Sequence, residues 1–189
     1  MDTSHLEYHP IIRPFVNSFA SIVAGILGWR LIDIGKFQSL LDKRGGNDRI
    51  SLASVILKRS GQNVTYSFRN SVQPLVTGET DHHRLLSLTS QQLIGHCWEL
   101  LQQADLLPPR PAQPVIEFLR HIRNGCFHGN SFHFLGDEPR YRAEWGGLII
   151  TRELNGHRVF RSDLSETNFF LNWGDPILLL SDVSRTLSS

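Results

Sequence analysis

The segment His121-Ile122-Arg123-Asn124-Gly125-Cys126-Phe127-His128-Gly129-Asn130 sets a permanent cation, an amide and a titratable imidazole a few positions apart. Arg123 and His128 form an Arg-x4-His pattern, with Asn124 directly after the arginine. The chemistry such a set suits is RNA transesterification. An imidazole, whose ordinary pKa is about 6.5, takes the proton of a ribose 2′-OH or feeds one to the leaving oxygen. A guanidinium holds the phosphate in a two-pronged contact and stabilises charge that builds on its oxygens.

Spacing alone is a weak signal. Of the 19 basic residues only Lys36, Lys43 and Lys58 are lysine, and there are 9 histidines. Chance then supplies on the order of one Arg-x4-His match. Arg152 and His157 make a second one, but Glu153, Leu154, Asn155 and Gly156 between them read as a turn. The Arg123 pair is the more specific, because an apolar helical run leads into it. Other readings of the same residues stay open. Arg123 can pair with Glu117, and His128 can close the helix end. Cys126, His128 and His133 can be read as metal ligands, although a fourth ligand is missing and the spacing matches no familiar zinc pattern.

These residues need elements to position them. Ile11, Phe15, Phe19, Ile22, Val23, Ile26 and Leu27 follow the helical period from Pro10 to about Asp33. Along that helix Ala20, Ala24 and Gly28 form a row of small residues. After a loop at Gly45-Gly46-Asn47-Asp48, a second helix is expected from Ile50 to near Gly61, and residues 62–82 are indecisive. Ser90 is expected to cap a helix that runs to about Ala104. Beyond the Pro108-Pro109-Arg110-Pro111 connector, Pro114 suits the first turn of the motif helix, which should fray at Gly125 or Gly129. Residues 140–161 read as two or three antiparallel strands with Asn155-Gly156 as a hairpin turn. A last helix is expected over about 175–187, entered at Asp175-Pro176.

The fold class that follows is mainly α, a helical core over about 10–130 with a small β appendage and a final helix, in one domain over 1–189. A chain of 189 residues with 40% hydrophobic and 20% charged residues is a folded protein, not a disordered one. Its net charge of +1 makes any nucleic-acid contact a local patch. Cys97 and Cys126 are too few for a disulfide framework, so a reducing cytoplasm is expected. Asp2 and Glu7 carry the wrong charge for a secretory leader, and the apolar run from Phe19 to Trp29 is about half a membrane span. Neither a Gly-x-Ser-x-Gly elbow, a Walker loop nor a dinucleotide fingerprint occurs.

With its polar residue after the arginine, the motif Arg123-Asn124-Gly125-Cys126-Phe127-His128 resembles the hallmark of the HEPN superfamily, Arg-x4–6-His. The likeness in organisation extends over roughly residues 10–130, while its specific part is these six residues. It implies an all-helical domain acting as a metal-independent endoribonuclease, a toxin or defence effector, with no cofactor. It further implies a homodimer in which two motifs meet in one composite site, and products ending in 2′,3′-cyclic phosphate and 5′-hydroxyl. Arg123 and His128 are then catalytic and Asn124 is an orienting hydrogen-bonder. Ideal helix geometry agrees that pairing helps, since positions five apart differ by roughly 140° around the axis. Some relatives carry a Tyr two residues after the motif His that an antitoxin modifies. Here that position is Asn130, so no such partner is expected.

RNA would be held by a basic rim of Arg110, Arg120, His121, Arg140 and Arg142, with Tyr141, Trp145 and Phe132 available either to stack on bases or to pack the appendage. Two rival functions remain, a HEPN-type binding module without catalysis and a metal-dependent hydrolase built on Cys126, His128 and His133. The second Arg-x4-His pair provides a control. Arg152→Ala and His157→Ala should leave cleavage of a labelled single-stranded RNA within a few-fold of the unaltered protein. A loss equal to that of the Arg123 pair would mean that the wrong match carries the chemistry.

Overall fold

The computed structural model describes residues 6–43, 49–56, 63–162 and 166–188. Over these residues the chain is mainly helical, with a small antiparallel hairpin and a C-terminal helix. Contacts divide it into two compact units, residues 22–82 and residues 1–21 with 83–189. The sequence marks no boundary there, because the first division falls inside the continuous helix α1 (Arg13–Leu31).

The smaller unit holds the end of α1, α2 (Ile34–Lys43), an antiparallel pair β1 (Arg49–Ile56) and β2 (Asn63–Ser67), and α3 (Phe68–Thr77). Its buried cluster is Phe37, Val72 and Val76, with Trp29 and Ile32 packed against it. The helix expected from Ile50 is instead strand β1. Ile50, Leu52, Val55 and Ile56 fit a helical period, but they are mostly β-branched, and a short apolar run does not distinguish strand from helix. The pairing shifts register between Leu52 and Ile56, which is where the sequence loses its strict alternation. Residues 57–61 of that expected helix lie outside the described residues.

In the larger unit, α4 (His82–Gln103) and α5 (Pro114–Phe127) precede two small sheets and α6 (Asp175–Leu187). Ser90 lies inside α4 and not at its start, its hydroxyl donating to Leu86 O at 2.8 Å. α5 begins at Pro114 as expected and passes through Gly125 without breaking. It buries Ile116, Phe118, Leu119 and Ile122 on one side, the stripe an amphipathic helix presents to a core.

The antiparallel hairpin is β3 (Glu144–Trp145) with β4 (Leu148–Ile149), and its turn is Gly146-Gly147, not Asn155-Gly156. Both glycines have positive φ, 57° and 83°, as the tight hairpin turn requires. Asn155 has φ −56° and ψ 125°, and only Gly156 is positive, at 81°. That is a type II turn, whose twist splays strands apart, so no hairpin forms around it. The following β5 (Arg158–Phe160) pairs in parallel with β6 (Phe169–Leu171).

Trp145 and Phe132 settle into packing. Phe132 is 2% exposed, and Trp145 lies on Phe118 at 5.7 Å between centroids while its Nε1 donates to Asp182 of α6 at 2.7 Å. Among the described residues no helix is long and apolar enough to cross a membrane.

Among the described glycines the most tightly covered is Gly125, where a Cβ would collide with Val159 Cγ2 of β5. Gly125→Ala should therefore destabilise the protein by about 1–3 kcal/mol through overpacking. The Gly125→Ala/Val159→Ala double variant should recover part of that loss in urea titrations. A neutral single variant would show that β5 does not press on α5.

Candidate functional site

The motif sits where α5 ends and the chain turns back. The His128 backbone N–H closes the helix on Asn124 O at 3.1 Å and Gly125 O at 3.2 Å, and Gly129 follows with φ 67°. Asn130 also adopts a positive φ, 62°, a conformation asparagine tolerates better than most residues. Its buried amide serves as a strand partner for Phe160, accepting from Phe160 N at 2.9 Å and donating to Phe160 O at 2.7 Å. Ser131 N donates to Gly125 O at 3.1 Å. The chain thus reverses tightly against the helix it has just left.

Arg123 faces α4. Its Nη2 donates to Glu99 Oε1 at 2.6 Å and its Nη1 to Asn124 Oδ1 at 3.4 Å, and its guanidinium lies 4.6 Å from the Phe127 ring centroid. So the pairing with Glu117 does not occur. The Phe127 ring rests over Gly95 of α4, yet the residue is 62% exposed. Beside it runs a groove of about 340 Å³, mostly apolar, lined by Leu88, Gly95, Glu99, Cys126 and Phe127 among others.

His128 is exposed and takes another direction. Its ring lies 4.9 Å from that of His133, tilted by 35°. Arg123 and His128 therefore have separate neighbours within one chain, as their helical spacing implies. His133 is a contact that the sequence did not single out for this role. Its signal was the alternation Phe132-His133-Phe134, which turns the histidine away from two inward rings.

The expected rim is thinner than its sequence suggests. Arg120 is mostly buried, reaching Glu117 at 3.4 Å and lying over the Trp98 ring at 5.4 Å. Arg110 meets Glu117 Oε2 at 3.1 Å and Ala112 N donates to Oε1 at 3.0 Å. Glu117 itself is fully buried, so both arginines are occupied in neutralising it. His121 is 2% exposed, with its ring edge-on to Phe134 at 5.6 Å, and it leaves the rim altogether. Arg140 and Arg142 remain on the surface, beside Asp137 and Glu144 respectively.

Among the described residues no group of three His, Cys, Asp or Glu side chains is placed to hold a metal ion, so Cys126, His128 and His133 do not assemble into a centre. Burial pushes the Cys126 thiol up to about 12, which keeps it protonated and a poor ligand or nucleophile. Compared with protein-family models, curated proteins and solved structures, the chain finds no match.

Burial holds the His121 pKa below its ordinary value, Glu138 opposing the shift and Arg110 adding to it. The unfolded chain then binds a proton that the folded chain refuses. Stability is complete above the unfolded value of about 6.5 and declines as pH falls from there towards the lower folded value. His121→Leu should show a smaller drop in urea midpoint between pH 8 and pH 5 than the unaltered protein. Equal drops would mean that His121 does not contribute to acid sensitivity.

Proposed function

We propose that the protein is a metal-independent endoribonuclease that cleaves RNA through attack of the 2′-OH, with a site shared between two copies of the chain at the end of α5. The observation that carries this reading is the exposed His128 imidazole at the closing residue of the helix that also bears Arg123 and Asn124. His128 moves a proton at O2′ or O5′, and Arg123 binds the phosphate. Asn124 orients the Arg123 guanidinium through its Oδ1 contact.

Glu99 occupies one edge of Arg123 in the free chain. Side-chain exposures of 29% and 43% put that ion pair at the surface, where such pairs contribute about 0–1 kcal/mol. A phosphodiester can replace Glu99 at little cost. Because Arg123 and His128 point to different neighbours, a second copy supplies the complementary half. The exposed Phe127 and the apolar groove beside it give that copy a surface to cover.

His128→Ala and Arg123→Ala should each lower cleavage of single-stranded RNA by at least about 10²-fold, the low end for removing a proton-transfer or charge-stabilising group. Both should leave the melting temperature and the dimer intact, because these side chains lie at a partly exposed helix end. Arg123→Lys should fail as well, since the charge remains without the two-pronged contact. Activity should persist in EDTA, and the products should carry cyclic phosphate ends. Cleavage abolished by EDTA and restored by zinc, a fully active monomer, or RNA binding without any cleavage would each overturn this function.

A further inference from the structure

We infer that His133 is the second proton-transfer residue of this site, sharing with His128 the removal of the 2′-OH proton and the protonation of the leaving 5′ oxygen. The inference rests on the ribonuclease reading above and extends it to a residue outside the Arg-x4-His motif.

Two exposed imidazoles with ring centroids 4.9 Å apart form one reactive surface. Neither ring makes a hydrogen bond or an ion pair among the described residues, so neither is committed to holding the fold. The position of His133 is nonetheless fixed by its backbone neighbours. Phe132 N donates to His157 O at 2.9 Å and Gly156 N to Phe132 O at 2.8 Å. Phe134 N donates to Asn155 Oδ1 at 2.9 Å. Phe132 is buried, and Phe134 stacks on it at 5.6 Å between centroids while meeting His121 from the other side. An exposed histidine whose two neighbours are anchored inward has its backbone held in place by them, and a fixed backbone is the part of pre-organisation they supply. The turn at Asn155-Gly156, which makes no hairpin, has this anchoring as its structural role.

The chemistry of the step calls for two such groups. As O2′ attacks phosphorus and the P–O5′ bond breaks, one neutral imidazole accepts the 2′-OH proton. The other, entering protonated, donates its proton to O5′. The products are a 2′,3′-cyclic phosphate and a 5′-hydroxyl, and the two imidazoles leave with their protonation exchanged. Proton exchange with water restores the starting pair. One imidazole alone would leave one of these two transfers to another group or to solvent.

The test compares His133→Ala and His128→Ala on a short single-stranded RNA and on the same RNA with sulfur replacing the 5′-bridging oxygen at one linkage. A thiolate leaves without being protonated, so this substrate bypasses the acid. On the natural RNA each variant should lose at least about 10²-fold. At the sulfur linkage one of the two should return to within about tenfold of the unaltered protein and so be identified as the acid, while the other stays slow. His133→Gln and melting curves control for folding, and it should behave as His133→Ala does. If His133→Ala cleaves natural RNA within a few-fold of the unaltered protein while His128→Ala does not, His133 has no part in the chemistry and the ribonuclease reading stands. If sulfur rescues neither variant, the acid–base division is wrong. If the unaltered protein cuts neither RNA, the ribonuclease reading falls and this inference with it.

Discussion

The contact between Gly125 and Val159 is the constraint on which the end of α5 depends. With no side chain at 125, β5 lies directly on the helix, and Gly125 O is open to the Ser131 amide. The reversal through Gly129 and Asn130 then completes itself on β5, where the Asn130 amide pairs with Phe160. Five residues after His128 the chain is back beside it. A glycine in the middle of a helical motif, which on propensity alone costs about 1 kcal/mol against alanine, is here the condition for the site's geometry.

A second constraint acts at the other end of the same helix. Glu117 is fully buried in the first turn of α5, where the helix dipole favours a carboxylate, and Arg110, Arg120 and the Ala112 amide surround it. Removing both arginines would leave that buried charge uncompensated, at a cost of about 3–5 kcal/mol. The network ties the proline-rich connector to α5, and through Arg120 over Trp98 it ties α5 to α4. It also consumes two cations that would otherwise face solvent. Arg140 and Arg142, the two rim arginines left at the surface, each lie beside an acid. Under the proposed function phosphate recognition falls on Arg123, the cation of the motif itself, whose partner Glu99 lies partly at the surface.

The sequence shows most where a residue type has only one good use. Pro114 and Asp175-Pro176 mark the starts of α5 and α6, and the apolar spacing from Ile11 to Leu27 marks α1. It shows least where two local structures compete for the same residues. Ile50 to Ile56 satisfies both periods, and β2 decides the outcome by pairing with it. Asn155-Gly156 and Gly146-Gly147 are both turn signals, and only backbone angles separate the splayed turn from the hairpin. Of the proposed site residues, Arg123, Asn124 and His128 are picked out by spacing and context alone. The inward turn of Arg120 and His121 is not, because it depends on where Glu117, Trp98 and Phe134 lie in space. His133 is visible in the sequence only as part of the metal-ligand reading with Cys126 and His128; that its ring meets the His128 ring is produced by the reversal at Gly125.

The central claim, that two copies of the chain build one cleavage site from Arg123 and His128, is tested most directly by mixing two inactive variants. Arg123→Ala and His128→Ala chains would be unfolded together, refolded as a mixture and assayed on single-stranded RNA beside each variant refolded alone. A shared site predicts that the mixture regains activity far above either variant, because a mixed dimer holds one intact Arg123 and one intact His128 on opposite chains. A mixture as inactive as its components, with light scattering showing that mixed dimers have formed, would contradict it.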